Sequence, residues 1–347
     1  MENRVLLEKL AESHKLSADQ WRQILGTYTD NDREYAASLA RDTAIANFGR
    51  EIFFRGLIEF SNYCRNDCYY CGIRRSNRKC HRYRLDKEEI LDCCRGGYAA
   101  GYRTFVLQGG EDPHFTDIVL TDIVETIRER YPDCAITLSV GERSRESYSK
   151  LFAAGADRYL LRHETADESH YGMLHPPEMS WKNRMQCLQD LRDIGFQVGC
   201  GLMVGSPWQR VDCLVKDMLF IESFRPEMIG IGPFVPHKDT PFKDKPAGSS
   251  KLTLFLLSLC RLMLPRVLLP ATTALTALDK DGRQMGVLAG ANVAMPNISP
   301  MLNRKNYSLY NNKPLGGADP AEAVSLLREQ MAEIGYTLKV GRGDYKK

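Results

Sequence analysis

Nowhere in the 347 residues do 18 uncharged apolar residues run together; the best stretch, Leu252 to Cys260, is followed at once by Arg261. No membrane-spanning helix is therefore expected. The N-terminus, MENRVLLEKLAESHK, carries charges through its first turns and has no apolar core, which argues against a signal peptide. Charge of one sign is not in excess either: 47 Lys and Arg against 44 Asp and Glu leave +3, too little at this length to point to nucleic acid. No low-complexity linker breaks the chain, and no G-x-G-x-x-G follows the first strand candidate, so the dinucleotide fingerprint of a doubly wound sheet is missing. The expectation is a cytoplasmic protein with neither membrane nor nucleic acid as partner. Cysteine is plentiful by contrast. Eleven, an odd number, without an export signal, fit a disulfide scaffold poorly and favour metal or catalytic use where they cluster.

The organisation is rhythmic. The first 50 residues read as helices, with Ser17 and Gln20 placed for a capping box and a second helix over Asn31–Asn47. Eight short apolar strands follow at Leu57–Phe60, Thr104–Gln108, Ala135–Ser139, Arg158–Arg162, Gln197–Leu202, Met228–Gly232, Val267–Ala271 and Asn292–Met295. Helical patterns separate them: Lys87–Ala100, Asp117–Arg130, Ser144–Ala154, Ser180–Ile194, Gln209–Phe224 and Ser249–Leu264. Gly101, Gly155 and Gly195 each stand just past a helix, where a left-handed cap is cheapest. Repeated βα units predict an α/β fold, a (β/α)8 TIM-type barrel with N-terminal helices and a C-terminal extension. The expected division is a helical segment over 1–50, the barrel over 51–300, and a loop and helix over 301–347 packing on it. Within the last part, Pro296–Pro320 reads as a long loop and Pro320–Ile334 as a helix before a basic tail.

The chemistry is concentrated after the first strand, in Ser61-Asn62-Tyr63-Cys64-Arg65-Asn66-Asp67-Cys68-Tyr69-Tyr70-Cys71-Gly72. Cys64, Cys68 and Cys71 have the spacing C-x3-C-x2-C. A compact loop can aim three such thiolates at three irons of a 4Fe–4S cube and leave the fourth iron open. The competing use is a Cys3His zinc site from Cys68, Cys71, Cys80 and His81. The other cysteines, Cys80, Cys93, Cys94, Cys134, Cys187, Cys200, Cys213 and Cys260, lack ligand spacing and read as buried small hydrophobes. His114, His163 and His237 follow strand ends, but none is expected to act as a base.

The cysteine loop, with Tyr70 before the last Cys, resembles the signature of the radical S-adenosylmethionine (SAM) superfamily. Five segments together resemble its HydE family of FeFe-hydrogenase maturases: Phe60–Cys64, Leu107–Pro113, Tyr159–Thr165, Gly230–His237 and Pro270–Ala274. The resemblance runs from about residue 50 to the C-terminus. It implies a radical SAM enzyme with one 4Fe–4S cluster on Cys64, Cys68 and Cys71. SAM would chelate the open iron through its amino and carboxylate groups and be cleaved reductively to methionine and a 5′-deoxyadenosyl radical. A ferredoxin or flavodoxin would supply the electron, and other hydrogenase maturases would be partners. The implied substrate is a small iron complex carrying cysteine, CO and cyanide, on the route to the H-cluster. The alternative is a radical SAM enzyme of small-molecule metabolism, methylornithine-synthase-like or biotin-synthase-like. Asn303–Gly317 holds no cysteine, so a single cluster is expected, without the accessory one some family members carry.

Further residues are expected at SAM. Tyr70 belongs to the signature. Gly109 and Gly110 let backbone approach the methionine moiety, and Glu111 suits its ammonium. Ser139 ends the third strand, and Glu164, after the fourth, can accept two ribose hydroxyls. Arg184 matches the family position that grips the carboxylate. For the substrate, Arg158 and Arg162 share a strand face; in the lumen, two buried cations would call for an anion. Thr137, Thr272 and Thr273 offer hydroxyls to the same pocket, and Met228, Tyr307 and Tyr310 match family cavity positions. Each also has a plainer reading, as a turn contact, a core side chain or a helix salt bridge.

Overall fold

The computed structural model describes residues 2–315 and 319–346. Its strands are β1 (Glu51–Phe54), β2 (Gly56–Ser61), β3 (Thr104–Gly109), β4 (Ala135–Ser139), β5 (Arg158–Leu160), β6 (Gln197–Cys200), β7 (Met203–Val204), β8 (Met228–Ile229), β9 (Gly232–Pro233), β10 (Val293–Ala294) and β11 (Thr337–Lys339). Strands β2, β3, β4, β5, β6 and β8 form one parallel sheet in that order. Parallel bridges carry the pairing on from Met228 to Leu268 and from Pro270 to Val293, and Leu57 meets Asn297. Leu57 N donates to Pro296 O at 2.9 Å and Ile298 N to Leu57 O at 2.8 Å, which closes the ring. The eight-stranded barrel read from the sequence is thus present. The Val267–Ala271 strand takes part through isolated bridges alone, and the expected Gln197–Leu202 and Met228–Gly232 strands shorten to β6 and β8; β7, just past the first, pairs with β9, which begins at the last residue of the second.

Helices cover the outside: α1 (Asn3–Ser13), α2 (Ala18–Thr27), α3 (Asp30–Phe48), α4 (Lys87–Ala99), α5 (Asp117–Arg130), α6 (Arg145–Ala153), α7 (Glu168–Leu174), α8 (Trp181–Ile194), α9 (Val211–Phe224), α10 (Ser250–Met263), α11 (Thr273–Leu278), α12 (Gly282–Leu288), α13 (Met301–Arg304) and α14 (Pro320–Glu333). Their starts follow capping chemistry: Ser17 with Gln20, Thr29 with Asp32 and Asp86 with Glu89 form reciprocal boxes. Helix α10 holds the most apolar run and is buried over Thr253–Met263, because the barrel lies on one side and α1 and α3 on the other. Among the described residues, no helix is long and apolar enough to cross a membrane. Part of the loop expected over Pro296–Pro320 is the short helix α13; Gly316, Gly317 and Ala318 lie outside the described residues.

The basic tail does more than the sequence suggested. Strand β11 pairs with β1, and the residues after it plug the base of the barrel. Arg158 is wholly buried there. Its Nη2 donates to Asp344 Oδ1 at 2.6 Å and Arg342 O at 2.7 Å, its Nη1 to Thr104 Oγ1 at 3.2 Å and its Nε to Gln197 Oε1 at 3.2 Å. The expectation that Arg158 faces the lumen holds, but the anion it answers is the chain's own Asp344, so Arg158 does not join Arg162 at a substrate pocket. Met228 also belongs low in the barrel. Its Sδ accepts from Arg55 Nη1 at 3.1 Å, and it packs with Leu268 and Val293.

Candidate active site

The parallel strands end together at the top of the barrel, and the cysteine loop leaves from there. Ser61 Oγ donates to Asp112 Oδ2 at 2.6 Å, and Arg84 grips the same carboxylate at 2.7 and 2.9 Å. Arg82 donates from Nη1 to Ile73 O at 2.8 Å and from Nη2 to Arg74 O at 2.6 Å, and it also reaches Asn62 O. One guanidinium so gathers backbone carbonyls from both ends of the loop. Asp67 takes Arg74 and Ser76 inside the loop, and the Arg74 guanidinium holds its carboxyl well below the usual range. Gly110 completes the fit: a Cβ there would stand 2.2 Å from Tyr63 O and 2.8 Å from Cys64 Cβ, so any side chain would push the loop off the barrel.

A cavity of about 300 Å³ opens between this loop and the strand ends. Cys64, Cys68, Cys71 and Tyr70 line one side; Gly109, Gly110, Glu111, Ser139, Glu164 and Arg184 line another; Arg162, Tyr307 and Tyr310 complete the polar wall. Thr137, Arg158, Met228, Thr272 and Thr273 do not reach it. Thr137 lies beneath, paired with Arg158, its Oγ1 buried without a hydrogen-bond partner among the described residues. Thr272 Oγ1 donates to Ile231 O at 3.1 Å, and Thr273 touches the site only through the Tyr310 hydroxyl, 2.8 Å away.

Burial raises each thiol's pKa, and the charge of Cys64 adds to the rise at Cys68 and Cys71; Cys71 is pushed up to about 12. As a bare set they stay protonated, so only a strongly positive group can hold them as thiolates. Among the described residues, no three His, Cys, Asp or Glu side chains converge on a single metal ion. Cys80 and His81, needed by the zinc alternative, line a separate pocket with His237 and Asn306. Cys64, Cys68 and Cys71 all line one cavity, the donor set of a three-thiolate cluster. Of the remaining cysteines, all but Cys80 are buried, and every one is free.

Across the cavity, Glu164 takes a left-handed backbone (φ 65°), a strain that a non-glycine residue keeps only where its surroundings enforce it. Its Oε2 lies 3.0 Å from Arg162 Nη2, but the alignment is poor. Arg162 Nε and Nη2 and Glu164 Oε2 are buried without a hydrogen-bond partner among the described residues. Such atoms are ready for a ligand carrying both hydroxyl donors and an anionic group. Arg184 is anchored through Nε to Glu142 Oε1 at 2.5 Å and through Nη1 to Arg162 O at 2.6 Å. Glu111 accepts from Arg65 Nε at 2.9 Å and from Glu142 N at 2.9 Å. The residues present therefore fit both a three-thiolate cluster and a sulfonium amino acid.

Sequence reasoning passed over Gln108, Glu142 and His175. Gln108 was readable, because it shares the lumen parity of Thr104 and Val106 and precedes Gly109. Glu142 and His175 carried no local signal. His175 Nδ1 lies 2.9 Å from Tyr171 O and its Nε2 3.1 Å from the Tyr70 hydroxyl. With Nδ1 donating to the carbonyl, Nε2 accepts from Tyr70 and steadies the ring between two cysteines. Burial, then the Arg184 charge, lowers its pKa from 6.5 to about 3. The unfolded chain thus binds a proton that the native chain refuses between those values, and stability is lost as pH falls below 6.5. His170 and His237 shift the same way, also by burial. The His175 share is about 2 kcal/mol between pH 7 and pH 5, at about 1.4 kcal/mol per pH unit. Denaturation midpoints at the two pH values should show that loss in the parent chain and a smaller one in His175→Gln.

The sequence profile of the Radical SAM superfamily matches residues 58–221. The FeFe hydrogenase maturase subunit HydE of Thermotoga maritima is 42% identical over 313 residues, which cover 90% of this chain and 89% of that protein. The 3-methylornithine synthase of Methanosarcina acetivorans is 28% identical, over 86% of this chain and 85% of that one. Among solved structures, methylornithine synthase superposes with a TM-score of 0.81 at 24% identity, covering 96% of this chain and 97% of the other. The maturase HydG superposes at 0.80 and 20% identity, covering 97% and 76%. At these identities the two structures speak for the fold.

Proposed function

Because this chain belongs to the radical SAM superfamily, and within it to the HydE family of FeFe-hydrogenase maturases, we propose that it holds one 4Fe–4S cluster and SAM in the barrel-top cavity and modifies a small iron complex carrying cysteine, CO and cyanide during H-cluster assembly. The observation that carries this reading is the meeting of three thiols with the orphaned Arg162 and Glu164 atoms on one cavity. The bound cluster would supply an electron to the SAM sulfonium, breaking the S–C5′ bond to give methionine and a 5′-deoxyadenosyl radical. Everything else is positioning and the exclusion of water.

Cys64, Cys68 and Cys71 would hold the cluster through three thiolates, with SAM beside it in the cavity. Glu164 accepts the ribose hydroxyls, and Arg184, fixed by Glu142, offers its guanidinium to the carboxylate. Arg162 holds the anionic iron complex. Leu160, Met203 and Phe234 form apolar wall, which keeps water from the radical. Tyr307 and Tyr310 close the side under the C-terminal loop. An electron carrier such as a ferredoxin or flavodoxin, and the other maturases, are the partners. A biotin-synthase-like reaction is not favoured, since it needs a second cluster in the lumen. Cys200, out of step with the lumen residues Gln197 and Gly199, sits outward near Cys260, and Cys134 lies against Tyr102 O near the strand starts.

The test is a hydrogenase assay in a strain lacking this chain. Activity should return with the parent gene and not with Cys68→Ser. Normal hydrogenase activity without the chain would remove the maturase assignment.

A further inference from the structure

Behind the cysteine loop, away from the cavity, lies a second pocket of about 440 Å³ whose wall includes Gly72 and whose rim carries Lys79, Lys238 and Lys305. From Gly72 to Arg84 the chain has six Arg and Lys and no Asp or Glu. Arg74, Arg82 and Arg84 serve the loop itself, while Arg75, Arg78 and Lys79 are exposed. Asp239 is the one acid on the pocket and already lies 3.3 Å from Lys79. Among the described residues, Arg78, Lys238 and Lys305 form no ion pair, and all three are exposed. A chain with a net charge of only +3 has thus concentrated positive charge on one face. Beside Lys305, α13 presents Met301 at 40% and Leu302 at 78% exposure, an apolar pair within a basic rim. That mixture suits a protein partner better than a free anion.

The position matters as much as the charge. Gly72 follows Cys71 directly, about 3.8 Å along the chain, and has no side chain to stand between that ligand and the pocket. A Cβ at Gly72 would strike Ser308 O at 2.1 Å and His237 Cδ2 at 2.5 Å, so the wall is packed as well as thin. The other pocket beside the loop differs: its Arg65 and Arg143 face Glu111, Asp112, Asp117 and Glu142, and it would repel an acidic partner.

We propose that this basic face, with Lys238 and Lys305 at its centre, docks a small acidic electron-carrier protein that passes one electron through the Cys71–Gly72 wall. The carrier is oxidised by one electron and the cluster reduced by one; no bond or proton changes hands. The inference rests on the cluster reading above.

The test uses the cluster-loaded full chain with purified flavodoxin as probe. Calorimetry gives the Kd of the oxidised form, and stopped flow gives the rate of electron transfer from the hydroquinone. Lys238→Glu with Lys305→Glu should weaken binding and lower the second-order rate about tenfold or more at low salt, and flatten its salt dependence. Iron content and dithionite-driven SAM cleavage should not change. The same reversal at Lys9 and Lys15, on the N-terminal side, should leave affinity and rate alone. Unchanged Kd and rate in the pocket variant, or an equal loss in the control, would overturn the docking face. So would failed hydrogenase maturation with flavodoxin affinity intact, which would give the face to another protein. Absence of iron from the parent chain would instead overturn the cluster reading, which the flavodoxin Kd does not depend on.

Discussion

Cys68→Ser is expected to come out of anaerobic reconstitution far short of the roughly four irons per chain that a complete cube requires, and to form almost no 5′-deoxyadenosine on reduction. Cys68 lines the cavity between Cys64 and Cys71 in the loop. Its Sγ lies 3.7 Å from Met179 Sδ, and its pKa is raised by burial and by Cys71 and Cys64. A serine hydroxyl ionises less readily than a thiol and is a poorer ligand for iron. Losing a residue that merely supports a metal ligand costs about 10–100-fold in affinity or activity; losing the ligand should exceed that upper figure. Two controls separate the cluster from cysteine chemistry in general. Cys80→Ser touches a thiol near Asn62 Nδ2 and Asn306 O, outside the cavity. Cys213→Ser touches one on α9. Both should keep their iron. The readouts are iron content, the EPR spectrum with and without SAM, and deoxyadenosine by chromatography. Full iron and a SAM-altered spectrum in Cys68→Ser would be incompatible with the three-thiolate cluster.

What could be read from the sequence was whatever is written locally. The spacing of Cys64, Cys68 and Cys71, the caps, and the buried parallel strands β2, β3 and β4 each declare themselves within a dozen residues. So did the parity of Arg158 and Arg162. Parity gives the face of a strand but not the depth. Arg158 opens β5 and so sits at the base, whereas Arg162 lies beyond its end, at the mouth. One strand therefore delivers one arginine to the structural plug and one to the cavity. What filled the base could not be read at all, because Asp344 lies 186 residues from Arg158 in the chain. The same applies to His175, 105 residues from Tyr70. Strand β11 is short and polar, and only its pairing with β1 makes it a strand. One clue was available and unused: Glu59 is a carboxylate in the middle of an apolar strand candidate.

Lys313→Met should destabilise the chain by about 3–5 kcal/mol, the usual cost of stranding one partner of a buried ion pair. Glu59 is 1% exposed. Its Oε1 takes the Lys313 ammonium and its Oε2 accepts from Asn297 Nδ2 at 2.7 Å. Lys313 also donates to Tyr307 O at 2.8 Å and stands 4.7 Å over the Tyr307 ring. Burial pushes the Glu59 carboxyl up and the Lys313 ammonium down, and each group's attraction for the other opposes that shift. The pair is separated by 254 residues in sequence and pins the C-terminal loop into the top of the barrel. That loop supplies Tyr307, Leu309 and Tyr310 to the cavity wall. Removing the lysine alone leaves a buried carboxylate that must either ionise unpaired or take up a proton. Glu59→Gln with Lys313→Met removes both charges and should recover most of the loss. Thermal midpoints of the single and double variants measure this, and hydrogen exchange over residues 305–315 should show the loop loosened in the single variant only. A double variant as unstable as the single one would mean that the loop is held by shape rather than by the buried pair.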